Sequence, residues 1–152
     1  MYPFNMTTRR ILCLCAGVLF LLTPCFAHHM AVVVDKDNTV KNLTSAQLGR
    51  MIKGEMKKWP DGKNVVLVLH SSLPDEMNTL QHLSKMSEAD VKALLASHKD
   101  SIQTVSSDAQ VIDAVASTPG AMGFIEEHSI TDRGTVIRVD GKLPMESGYL
   151  PH

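Results

Sequence analysis

Five consecutive apolar residues, Val65-Val66-Leu67-Val68-Leu69, constrain this chain more than any other feature. A strand with one wet face alternates polar and apolar residues. A run with no alternation belongs to a strand covered on both faces. Ala31-Val32-Val33-Val34 repeats the pattern near the start. After each run, apolar positions fall at helical spacing: Leu48, Met51 and Ile52, then Met77, Leu80 and Leu83. Val91, Leu94 and Leu95 mark a further helix, and Val111, Ile112 and Val115 another. Strand-like Met122–Ile125 and Thr135–Val139 follow. Strands alternating with helices predict an α/β fold, its central sheet mostly parallel and flanked by helices.

Punctuation supports these boundaries. Thr44 or Ser45 is placed to cap the first helix, and Gly54 to stop it. Ser87-Glu88-Ala89-Asp90 has the spacing of a capping box, and Ser106-Ser107-Asp108 marks a strand end and a new cap. Trp59-Pro60-Asp61-Gly62 is a turn signal, with the indole expected to pack over the strand that follows. Pro119-Gly120 breaks a helix just before the Met122 strand. The methionines Met51, Met56, Met77, Met86 and Met122 fall where core residues belong.

The first 27 residues have the layout of an export signal. Arg9 and Arg10 precede the apolar run Ile11–Leu22, and Pro24-Cys25-Phe26-Ala27 ends it with a small residue. Cleavage after Ala27 is expected, with the protein periplasmic and not stably inserted in a membrane. N-terminal sequencing of the protein from a native envelope fraction should therefore start at His28. An intact Met1 or a lipid on Cys25 would refute this. Pro24 is a poor fit to the small residue that precedes a lipidated cysteine.

Residues 28–152 are enough for one core and too few for two domains of ordinary size. Cys13, Cys15 and Cys25 all leave with the signal, which excludes disulfides and cysteine nucleophiles from the remainder. Losing Arg9 and Arg10 takes the formal charge from −1 to −3, and only 5% of the residues are aromatic. Such a domain is a poor nucleic-acid binder.

In α/β sheets, ligands gather at the carboxyl ends of strands, where helix N-termini offer free amides to anions. Hydroxyl pairs stand at three such places: Thr44 and Ser45, Ser71 and Ser72, and Ser106 and Ser107. Each pair also suits plain helix capping. Ser71 and Ser72 weigh most for ligand contact, because they follow the Val65–Leu69 strand. His28 and His29 would begin the exported chain, where an amine and imidazoles can chelate copper, but a frayed polar terminus explains them as well. The other histidines lack the close spacing of a metal site, so no metal is expected. No G-x-S-x-G elbow, Walker loop or H-E-x-x-H helix is present, and the adjacent pairs Asp75-Glu76 and Glu126-Glu127 read as solvated acidic positions. The expectation is a non-enzyme without cofactors.

Leu43-Thr-Ser-Ala-Gln-Leu-Gly-Arg-Met-Ile-Lys-Gly54, Trp59-Pro-Asp-Gly62 and Thr118-Pro-Gly-Ala-Met-Gly-Phe-Ile125 together resemble the phosphate-binding proteins of ABC transporters. That family carries L-T-x-x-Q-L-x-x-I-F-x-G, W-x-D-G and T-P-G-A-I-G-Y in this order. The resemblance spans roughly residues 32–125 and implies a single periplasmic-binding-protein-like lobe. It also implies anion binding in connection with ABC transport, with a transporter or envelope protein as partner. In relatives, an arginine and a D-G-S-G-T-like segment follow the second strand and grip phosphate. Aligned by strand, His70 falls near that arginine and Ser72–Glu76 on the glycine-rich segment. Here no glycine remains, Pro74 lacks an amide donor, and Asp75 and Glu76 bring carboxylates. The altered loop predicts weak phosphate binding at most. The rival expectation is a protein–protein or scaffold module of an envelope assembly that keeps the fold without binding anions.

Overall fold

The computed structural model describes residues 29–151. The expected signal segment 1–27 and the copper candidate His28 lie outside the described residues, as does His152. Strand β1 (Met30–Val34) is buried along its whole length. After the short β2 (Asn42–Leu43) come helix α1 (Ser45–Ile52) and β3 (Val66–His70). Helices α2 (Pro74–Ser84) and α3 (Glu88–Ser97) follow, then β4 (Ile102–Val105), α4 (Asp108–Ser117) and β5 (Ala121–Glu126). Two-residue strands β6 (Thr135–Val136) and β7 (Arg138–Val139) precede an irregular tail.

The main sheet has the order β4-β3-β5-β1-β6. β3 pairs in parallel with β4 and β5, whereas β1 is antiparallel to both β5 and β6. All strands but β1 therefore run one way, which is the mostly parallel sheet expected. Its two faces explain why the runs lack alternation. Val32, Val34, Leu67, Leu69, Met122 and Phe124 face a core with Leu48, Met51, Ile52, Leu80, Leu83 and Val91 of α1, α2 and α3. Ala31, Val33, Val68 and Ile125 face Val111, Ile112, Ala114 and Val115 of α4. Neighbouring residues point to opposite sides of a strand, so both sides had to be apolar. Helix α4 sits close: a Cβ at Gly123 would come within 2.4 Å of Val111 Cγ1.

One expected strand divides. Thr135–Val139 is split at Ile137, which is fully buried in the larger core. β6 pairs with β1 and β7 pairs in parallel with β2, so the chain changes sheets at that residue. The open edge of β1 beyond β6 is closed by other groups. The Ile137 amide donates to the Val32 carbonyl at 3.1 Å. The buried Tyr149 hydroxyl accepts from the Val32 amide at 3.0 Å and donates to the Ile137 carbonyl at 2.8 Å. Burial pushes the Tyr149 phenol up to about 12, so it stays a neutral donor at any physiological pH. Met51 and Met122 are core residues, and Met56, Met77 and Met86 pack against the core. Among the described residues no helix is long and apolar enough to cross a membrane.

Candidate functional site

The parallel pairing of β3 with β4 brings most of the candidate residues together. His70 stands opposite Val105 in register, and the Ser71 amide extends the ladder by donating to the Val105 carbonyl at 2.8 Å. The two strands thus end side by side, placing His70, Ser71 and Ser72 beside Ser106 and Ser107. Ser71 and Ser106 line one cleft of about 600 Å³ with Gln103, Thr104, Gln110 and Asp113. This cleft lies between β4, an edge strand, and α4. It is polar, and its Asp113 carboxylate is paired with Arg133.

Three amides at this end, those of Ser71, Ser72 and Ser106, are engaged within the chain. Ser72 N–H donates to His70 Nδ1 at 3.3 Å. Gln110 Oε1 accepts from both the amide and the hydroxyl of Ser106, at 2.9 and 3.0 Å. Ser107 caps α4, its hydroxyl accepting from Gln110 N–H at 3.3 Å. The carboxylate of Asp108, in the first turn of α4, accepts from Glu126 N–H at 3.0 Å.

Thr44 and Ser45 belong to another place. Thr44 forms a complete capping box with Gln47 at the start of α1. Ser45 lines a separate cleft of about 360 Å³ with His82, Lys85, Asp140 and Tyr149. Its amide donates to Asp140 Oδ1 at 3.1 Å, so a carboxylate of the chain already occupies that helix end. This placement follows from β7, which sets the Asp140 turn beside α1 through its pairing with β2.

Glu76 departs from the sequence reading. It is not a solvated acid of the helix start: it is 2% exposed. Helix α2 begins with Leu73 at its N-cap, without a side-chain cap, and Pro74 in its first turn. From the same turn Glu76 folds back to the end of β3, where Oε2 accepts from the His70 amide at 2.8 Å. Its Oε1 is buried without a hydrogen-bond partner among the described residues. Desolvation pushes the carboxyl up to about 8, the His70 amide opposes the rise, and the charge of Asp108 adds to it. At pH 7 Glu76 is mainly a neutral acid. Gln110, Asp108 and Asp140 were also missed by sequence reasoning. Gln110 stands three residues after Ser107, the capping-box spacing, which could have revealed it.

This geometry places hydroxyls, helix starts and strand ends together. Known proteins share this fold. Over 118 residues the sequence is 28% identical to the phosphate-binding protein PstS of Bacillus subtilis, spanning 76% of this chain and 37% of that one. An ABC-type phosphate transport receptor from Vibrio cholerae superposes with a TM-score of 0.62, at 19% identity over 78% of this chain and 48% of its own. The fold is one lobe of the phosphate-binding-protein type. A protein from Clostridium perfringens, described as a phosphate ABC transporter substrate-binding protein and solved with phosphate bound, gives 0.64 at 20% identity. It is covered over 47% of its length and covers 77% of this chain. The lobe thus spans less than half the length of these relatives. No family model matches the sequence.

Proposed function

We propose that this lobe is an exported, non-enzymatic solute-binding domain of phosphate-type ABC transport, holding inorganic phosphate or a similar oxyanion weakly. The export signal ending at Ala27 would place it in the periplasm. The observation that carries the reading is the gathering of Ser71, Ser72, Ser106 and Ser107 at the joint carboxyl end of β3 and β4, within a fold shared with phosphate-binding receptors.

Weakness follows from the same contacts. Each hydrogen bond to a charged ligand contributes about 1.5–3 kcal/mol, but one from the Ser71, Ser72 or Ser106 amide must displace an internal partner. One lobe also leaves the ligand open to water, and lost ligand freedom offsets two or three bonds. The expected dissociation constant for phosphate is about 0.1 mM or above, measured by calorimetry on monomeric protein. A micromolar constant would refute this account. The scaffold reading rests on the engaged amides of Ser71, Ser72 and Ser106. It gains if neither phosphate nor sulfate shifts any amide resonance near Ser71 and Ser106 at millimolar concentration.

A further inference from the structure

We propose that Glu76 plugs an anion position at the start of α2, its carboxyl accepting the His70 amide bond that a bound oxyanion would otherwise accept. The inference rests on the oxyanion-binding reading above and adds a residue that holds the position closed.

Three observations support it. The carboxyl lies where anions are ordinarily drawn, between the carboxyl end of a parallel strand and the first turn of a helix with no side-chain cap. An oxygen of Glu76 already takes a backbone amide there, at 2.8 Å from His70 N. Its second oxygen is buried and unpartnered. A glutamate that served the helix alone would gain as much at the surface, with both oxygens hydrated and near the dipole. Burying it with an acceptor unsatisfied is unfavourable and calls for an explanation. An oxyanion in the same place could turn several oxygens toward the amides and hydroxyls of the loop. The charged group acting on Glu76 from a neighbouring helix is Asp108, and Asp75 shares its turn. The charge of Asp108 favours the neutral carboxyl over a charged competitor.

The test compares the exported protein with Glu76→Ser, Glu76→Ala and Glu76→Gln variants, titrated with inorganic phosphate by calorimetry and amide NMR. Glu76→Gln keeps an oxygen for the His70 amide, so it should bind phosphate like the wild type. Glu76→Ser and Glu76→Ala remove the plug and should bind about tenfold tighter or better, with the His70 amide resonance moving on titration. Alanine separates the loss of the plug from the gain of a hydroxyl. Unchanged affinity in both truncations, or a stationary His70 amide, overturns the proposal. So does failure of both to fold, which would make Glu76 a core residue only. A wild type that binds weakly with unimproved variants leaves the proposed function standing and removes the plug. Tight binding by the variants alone keeps the plug and removes weak binding by the native lobe.

Discussion

Between pH 4.5 and pH 8, the domain should lose on the order of 4 kcal/mol of stability relative to its Glu76→Gln variant. In the folded chain the Glu76 carboxyl is pushed up to about 8, mainly by desolvation, from an ordinary value of 4.5. Between those values the folded state keeps the proton and the unfolded state has released it. The unfolded state therefore binds fewer protons, and stability falls as pH rises. The contribution is fully present below about 4.5, declines through the window and is gone above about 8. Other titrating groups affect both proteins alike and cancel in the difference. Urea unfolding of the two proteins at pH 4.5, 6 and 8 gives the measurement. The curves should converge at the acid end and diverge steadily, with the variant more stable at pH 8. Parallel curves would show that Glu76 reaches water.

The sequence placed Glu76 at a helix start but not in the interior, and the reason is physical. Helix-start carboxylates are normally stabilised at the surface by the dipole, so position in the chain argues for exposure. Burial is decided by a tertiary fact, the approach of α2 to the end of β3, which no local pattern carries. Asp140 escaped for the same reason, since its partner Ser45 is distant in sequence and meets it only through the β2–β7 pairing. The strands were legible because double-sided burial is written directly in Ala31–Val34 and Val65–Leu69. The break at Ile137 was not, because Thr135–Val139 has strand composition throughout and the change of sheet depends on where β2 lies. Among site residues, the grouping of Ser71 with Ser106 required the β3–β4 register. The separation of Thr44 and Ser45 required knowing that α1 opens onto a different sheet.

Trp59→Ala should cost about 3–5 kcal/mol, one of the largest single losses available in this fold. The sequence alone assigned the indole to packing beside a turn, and the structure shows what it joins. Trp59 is 3% exposed and belongs to the larger core. Its Nε1–H donates to the Gly120 carbonyl at 2.8 Å, across 61 positions. The Trp59–Gly62 turn and the Thr118–Gly120 break, two of the segments that carry the family resemblance, therefore meet in space. Contact there is close from the other side as well. Gly120 has φ +79, and a Cβ on it would stand 2.1 Å from the Asn64 carbonyl oxygen. The indole bond, the Val66 amide bond to the same carbonyl and this close approach together fix the start of β3 against the start of β5. Alanine would leave a cavity and loosen that joint. Trp59→Phe should recover most of the loss, because the ring refills the space and the Gly120 carbonyl keeps the Val66 amide. Denaturant unfolding should show a lower midpoint for Trp59→Ala at unchanged slope, with Trp59→Phe between it and the wild type. An unchanged midpoint for alanine would mean that the ring contributes nothing to the joint.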